Sequence, residues 1–307
     1  MANQDIQEKQ FLGNYPYYDP AEEQEESSEY SLEIRDTGQL QTLDISSLCT
    51  MLSTRKSSKI TLICAKNVRA RILCIPDKLS QKIDICVQVL THATIDFVWE
   101  QQTKETRAHL INATFSLHHE AQLTLVYAFS SCSTFTKIDS EIFLLEEHAR
   151  VIIASLHALT HEQKYAFAAT VHHQAPYTFS RLITHGVITQ ESRALCKGIL
   201  KIVESAHQSD AQQTLKQIIL DKKSRALTIP VLEVATKRVT CKHGSAIGTL
   251  DQDSLWSLAS RGIDPEKAQK ICLRAFLITP LLTANLEKII VEKIVNCLLV
   301  HVTGSMN

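Results

Sequence analysis

The pair Cys241 and His243 stands out by its spacing, because two positions apart on a β-strand both side chains fall on one face. A thiolate and an imidazole so placed are donors that soft transition metals accept. Gly244 beside them allows another backbone to approach closely. A satisfied histidine and a structural thiol in a strand interface fit the same spacing. The adjacent pairs His172–His173 and His118–His119 read differently, since neighbours on a strand point to opposite faces and do not chelate together. The nine cysteines, at 49, 64, 74, 86, 132, 196, 241, 272 and 297, include no CxxC, and no two are closer than ten residues. That odd, dispersed set reads as buried reduced thiols, not a disulfide framework or a zinc ribbon. No HExxH, GxGxxG or GxxxxGK[ST] occurs, so no nucleotide is expected on this chain in the usual Gly-rich ways.

The chain has 307 residues, 44% hydrophobic and 21% charged, which is ordinary for about two globular domains. The net charge of −1 gives no general attraction to nucleic acid or an anionic membrane. No run approaches the roughly 20 apolar residues of a membrane span. The start, MANQDIQEKQ, lacks the basic-then-apolar pattern of a secretory signal, so a cytoplasmic protein is expected. Charge is uneven, however. Residues 1–34 carry nine acids against one base, a net of −8. Residues 1–38 therefore read as a disordered acidic tail, with Tyr15, Tyr17 and Tyr18 as candidate anchoring groups.

From about Lys59 short apolar stretches alternate with polar residues, as in Ile60–Cys64, Arg71–Ile75 and Ile83–Val87, which argues strands. A polar pair, an alanine and then alternating apolar residues recur at Ala93, Ala121 and Ala149, each 28 residues from the last. Weaker echoes stand at Ala194 and Ala226. Such a period, without helices between strands, suggests stacked coils with a small residue at a tight corner. An antiparallel sandwich is the competing architecture, and the scarcity of glycine, 8 residues, and of hairpin dipeptides argues against it. The last quarter is helical. Asp251 can cap a helix over Gln252–Ser260, and Gly262 suits its αL end. Asp264 and Pro265 start a second helix whose apolar stripe is Ala268, Ile271, Cys272, Ala275 and Phe276, ending at Pro280. A third helix is expected over Leu286–Val300. Trp256 and Phe276 read as core residues of these helices. Asp210–Leu220 has helical periodicity through Ala211, Leu215, Ile218 and Ile219.

The stretch Pro230-Val-Leu-Glu-Val234, Cys241-Lys-His-Gly-Ser-Ala-Ile-Gly248-Thr-Leu-Asp251, Leu255 and Ser260-Arg-Gly-Ile263 resembles the SufB/SufD family of the SUF iron–sulfur cluster assembly scaffold, on its SufD side. His185-Gly-Val-Ile and Ala206–Gln213 resemble further segments of that family, so the likeness runs over about residues 172–277. The chain departs from the pattern at Lys237-Arg238, Gln217 and Trp256-Ser257, and residues 1–58 show no clear counterpart of the family's N-terminal helical domain, which suggests a shortened or divergent member.

The resemblance implies a mainly β protein: a right-handed parallel β-helix over residues 39–250 and a C-terminal α-helical domain over 251–307. It turns Asp210–Leu220 from a helix into a turn and strand of the solenoid. It implies a non-enzymatic scaffold subunit that pairs with a SufB-like chain, or with a second copy of itself, and binds a SufC-like ATPase. A transient iron–sulfur cluster would be shared across the subunit interface, with His243 and Cys241 as candidate ligands. The ATPase would dock around Ser254, Leu255, Arg261, Gly262, Ile263 and Phe276, although these residues would equally suit a helical cap on the open end of the solenoid. Two readings stand beside this one. A degenerate SufD-like partner would keep the fold without a ligand of its own. A β-helix enzyme acting on polysaccharide would need acidic residues on neighbouring coils, and the strands are poor in them.

Overall fold

The computed structural model describes Phe11 and residues 27–35, 37–52, 57–76, 81–101, 108–130 and 133–304. Cys132, the three tail tyrosines and the acidic run up to residue 26 lie outside the described residues. Strands β1 (Ser27–Ile34), β3 (Ser57–Cys64), β5 (Lys82–Val89), β7 (Ala108–Leu117), β9 (Phe135–Leu144), β11 (Lys164–His173), β13 (Arg193–Ile202) and β15 (Arg225–Val234) form one parallel sheet in that order. Strands β2 (Gln41–Asp44), β4 (Arg69–Cys74), β6 (Thr94–Gln101), β8 (Gln122–Phe129), β10 (Arg150–Leu159), β12 (Phe179–Ile188), β14 (Asp210–Ile219) and β16 (Thr240–Gly248) form the other. Each coil contributes one strand to each sheet. The chain is a parallel β-helix, as the 28-residue period predicts, and Asp210–Ile219 is a strand within it.

Side chains of one register stack in columns through the lumen. Ile83, Ile111, Ile138, Phe167 and Cys196 form one such column, all buried. The period-2 alternation of the strands supplies these columns, because every second residue faces inward. The corners leading into the even strands show what the repeated alanine does. His92, Glu120 and His148 take left-handed conformations, and the alanine after each is fully buried. The carbonyls of Ala93, Ala121 and Ala149 accept from Gln122, Arg150 and Phe179 of the next coil at 2.8, 2.9 and 3.0 Å. The left-handed backbone is costly away from glycine. Here the rings it points outward stack between coils, with His148 and Tyr177 centroids 5.1 Å apart. The echoes at Ala194 and Ala226 belong to the odd sheet, where they are register partners of each other.

Two boundaries differ from the sequence reading. Ser27–Ile34, counted there as acidic tail, is β1 and pairs with β3 from Ser27–Ser57 to Ile34–Cys64. Charge counting hid its alternation: Tyr30, Leu32 and Ile34 share the register of the lumen residues Ile60, Leu62 and Cys64. Phe11 packs on the outside of the odd sheet near Phe135, Ala166 and Leu195, and its carbonyl accepts from Arg193 Nη1 at 2.9 Å. The second boundary concerns the helices, α1 (Ser46–Leu52), α2 (Gln252–Ala259), α3 (Pro265–Thr283) and α4 (Lys288–Gly304). Asp251 caps α2 through Ser254 N, and Asp264 caps α3 through Glu266 and Lys267 N, as read from the sequence. Pro280, however, lies inside α3, and the buried stripe is Ala268, Leu273, Leu277, Pro280 and Leu281. Ile271 and Ala275 face out.

The C-terminal helices do not close the end of the solenoid. They lie along its flank: α3 against β10 and β12, α4 against β10 and β8. The apolar cluster between them includes Val126, Ala154, Leu156 and Val187 from the sheet and Leu273, Leu277, Leu281, Val291 and Leu298 from the helices. Arg71 on β4 adds ion pairs to Glu287 at 3.0 Å and Asp96 at 3.4 Å.

Polar groups also enter the lumen, and one pair sits where a glycine makes room. His157 and Gln217 bond at 2.8 Å across the intervening strand, at Gly186. A Cβ on Gly186 would lie 1.9 Å from His157 Nε2 and 2.1 Å from Gln217 Oε1. Gly186→Ala is therefore expected to lower stability by about 2–4 kcal/mol, by forcing this buried pair apart. Urea denaturation checks it, and an unchanged midpoint would show that the pair can shift without cost.

Candidate functional site: the open rim of the solenoid

β15 and β16 are the last strands of their sheets, so each leaves one edge without a strand neighbour among the described residues. Burial falls accordingly: β14 alternates between buried and half-buried positions, whereas β15 and β16 are half-buried or exposed throughout. An unpaired edge offers a row of backbone donors and acceptors to another strand. Pro230 on β15 removes one donor from that edge, a place where proline is tolerated.

The lumen register continues to this rim and changes character there. One column runs Ile72, Phe97, Leu125, Ile153, Leu182, Gln213 and His243. It is apolar for five coils, turns polar at Gln213 and ends on an exposed imidazole. Gln213 Nε2 donates to the carbonyl of Val231 on β15 at 2.8 Å. Gly198 makes the space, since a Cβ there would meet Gln213 Oε1 at 2.1 Å. The neighbouring column ends Ser180, Ala211, Cys241, and Cys241 is half-buried against the main core. Thr228 and Ser245 hydroxyls meet across the lumen mouth at 2.5 Å.

Cys241 and His243 thus share one register face at the solvent mouth of the lumen, as their spacing predicts. Burial, with Asp210 nearby, raises the Cys241 thiol pKa above its ordinary value, so metal binding would have to displace its proton. Among the described residues no cluster of three or more His, Cys, Asp or Glu side chains is arranged to hold a metal. The rim offers one sulfur and one nitrogen donor, half of a tetrahedral set. The remaining donors, for any bound metal, would have to come from outside the described residues.

The remaining predicted residues sit elsewhere. Ser254 donates its amide to the Asp251 cap. Arg261 Nη1 donates to Ser257 Oγ at 2.8 Å, Gly262 turns the chain at φ 75°, and the Ile263 amide donates to Leu258 O. Ser254, Leu255, Arg261, Gly262 and Ile263 therefore gather around the α2–α3 junction, with Leu255 half-buried on the flank cluster. Phe276 belongs to the packing between α3 and β12: its ring stacks on His185 with centroids 4.3 Å apart. Trp256, read from the sequence as core, is 75% exposed. The inward, lumen-lining roles of Gln213 and Gln217 escaped the sequence reading, which noted both only within the segments that carry the family resemblance. Their signal was present as amides at inward positions opposite two of the chain's few glycines.

His185 also explains how Pro280 fits inside α3. Proline has no N–H, so the carbonyl four residues earlier, that of Phe276, loses its helical donor. His185 Nδ1 donates to that carbonyl at 2.7 Å. Burial lowers the His185 pKa to about 4 despite this bond, and lowers that of His157 to about 3. The unfolded chain then binds more protons than the folded chain below the ordinary histidine pKa near 6.5. Stability should accordingly fall as pH drops from about 6.5 towards 4, and His185→Gln should flatten part of that slope in chemical denaturation series. Phe276→Asp should cost about 3 kcal/mol, whereas Trp256→Asp should stay within about 0.5 kcal/mol. Equal melting losses in both variants would place Trp256 in the core after all.

Together, the coiled stack and its unpaired last strands define a parallel β-helix whose C-terminal rim is open among the described residues. A family model described as SUF system FeS cluster assembly, SufBD core domain, matches residues 25–276, and the chain belongs to that family. It is 29% identical over 104 residues to the iron–sulfur cluster assembly protein SufD of Escherichia coli, covering 34% of this chain and 25% of that protein. It is 29% identical over 116 residues to SufD of Bacillus subtilis, covering 38% and 26%. Against SufB of Bacillus subtilis it is 25% identical over 131 residues, covering 43% and 28%. The matched segments thus span about a quarter of the length of these curated relatives.

Proposed function

We propose that this chain is a non-enzymatic scaffold subunit of iron–sulfur cluster assembly, acting in the cytoplasm. It pairs with a SufB-like chain at the rim of β15 and β16, and the nascent cluster is cargo held between the two. The observation that carries this reading is the pairing of a thiol and an imidazole on one register face at an uncapped lumen mouth. Cluster irons favour thiolate and tolerate imidazole. Two donors from one chain and the rest from its partner make a site that exists only in the assembled complex. Such a site can release its cargo when the interface moves.

A SufC-like ATPase docks on the α2–α3 junction in this reading, through Ser254, Leu255, Arg261, Gly262 and Ile263, with exposed Trp256 adding apolar surface. Movement driven by ATP on that partner would reach the rim through the α3 flank contact. No helix among the described residues is long and apolar enough to cross a membrane.

The test is co-expression with SufB-like and SufC-like chains, purification without oxygen, and assay of iron and sulfide. His243→Ala should fold and assemble normally, because the imidazole is exposed, and should lose most of the cluster. Cys241→Ser should lose less, and the double variant should fall short of the sum, since both act on one site. Full iron and sulfide in His243→Ala at unchanged complex yield would instead favour a SufD-like chain retained only as a structural partner, whether in a heterodimer or a homodimer.

A further inference from the structure

The opposite, N-terminal end of the solenoid carries a second pair of soft groups. Helix α1 lies over that end, held by Ile45 N donating to Leu73 O at 2.9 Å and by Ile75 N donating to Ser46 Oγ at 2.7 Å. Ile45 and Cys49 are buried in the main core, with Leu48 packed against it. The Cys49 Sγ lies 3.2 Å from the Sγ of Cys74 at the end of β4, and both residues are buried. Both are free thiols. We propose that Cys49 and Cys74 are a modification site, a dithiol that peroxides convert to a disulfide and that thereby staples α1 to the first coils of the solenoid.

The two sulfurs need to close by only about 1.2 Å to reach the bond length near 2.05 Å, within the reach of side-chain torsions. Burial pushes the Cys74 thiol well above its ordinary pKa, so the closed state resists oxidation. The seven-residue α1 is short enough to open locally, which wets both sulfurs and allows a thiolate to form. That thiolate attacks hydrogen peroxide, whose O–O bond breaks to give a sulfenic acid and, with a proton, water. The second thiol then attacks the sulfenic sulfur. The S–S bond forms, the S–O bond breaks, and the hydroxyl leaves as water with the thiol proton. Two electrons pass from the two thiols to the peroxide, and a dithiol reductant reverses the change. The disulfide would link residues 25 apart across the end of the coil stack. Closing a loop of that size removes freedom from the unfolded chain.

The full chain, treated with hydrogen peroxide, quenched by alkylation and digested, should yield a Cys49–Cys74 linked peptide as its main disulfide. Its melting temperature should rise by about 5 °C and return after dithiothreitol. Cys49→Ala and Cys74→Ala should each abolish the peptide and the shift. Peptide mapping of the unaltered chain decides the matter even if a variant folds poorly. If Cys49 and Cys74 stay reduced while the more exposed Cys86 and Cys272 oxidise, or if the linked form melts no higher than the reduced one, the proposal fails.

Discussion

Every feature of this molecule depends on keeping successive coils in register. In a parallel stack each strand bonds to the one a full coil earlier and a full coil later, and the lumen columns form only if inward positions coincide each time. A slip of one residue would turn an apolar column out to water. The left-handed corners meet this constraint, because they reverse the chain in few residues and return it to the same register. The residue after each left-handed corner is buried, alanine at 93, 121 and 149 but Val68, Thr178 and Ser209 at other coils, and its carbonyl bonds to the next coil.

A stack of this kind has two ends, and they are finished differently. At the N-terminal end α1 packs Ile45, Leu48 and Cys49 onto the core, while Tyr30 and Leu32 of β1 stay partly exposed at lumen register. At the C-terminal end the apolar columns give way to Gln213, then to Cys241 and His243, and the last strands keep bare edges. Solenoid ends normally require caps, and among the described residues no strand covers this one. Membership of the SufBD core family accords with that design.

The helical domain is free to serve another purpose because it does not cap the stack. It is seated on the even sheet by an apolar cluster and by directional contacts, among them the Arg71–Glu287 ion pair and His185 donating to the Phe276 carbonyl that Pro280 leaves without a helical donor. Sequence-distant residues here depend on each other: the proline is tolerated because the histidine is there, and the histidine stays neutral because the helix buries it.

The amino-acid sequence by itself established most of the strands, the coil period and the helix caps, because these are local, although periodicity alone read Asp210–Leu220 as a helix where parallel pairing makes Asp210–Ile219 a strand. Alternation, a small residue every 28 positions and Asp caps are set by neighbours a few residues apart. It also placed Cys241 and His243 on one face, and its likeness to a known family pointed to the cluster-assembly reading. Tertiary structure decided what depends on distant partners. The sequence reading placed Ser27–Ile34 in an acidic tail, and pairing with β3 makes it a strand. It turned the buried stripe of α3 away from Ile271 and Ala275, because the sheet selects which face of a helix is covered. It moved Phe276 into the packing and Trp256 out to solvent, and laid the helices along the flank instead of across the end. Periodicity shows that a helix has an apolar face, but only the surface it meets determines which residues that face buries.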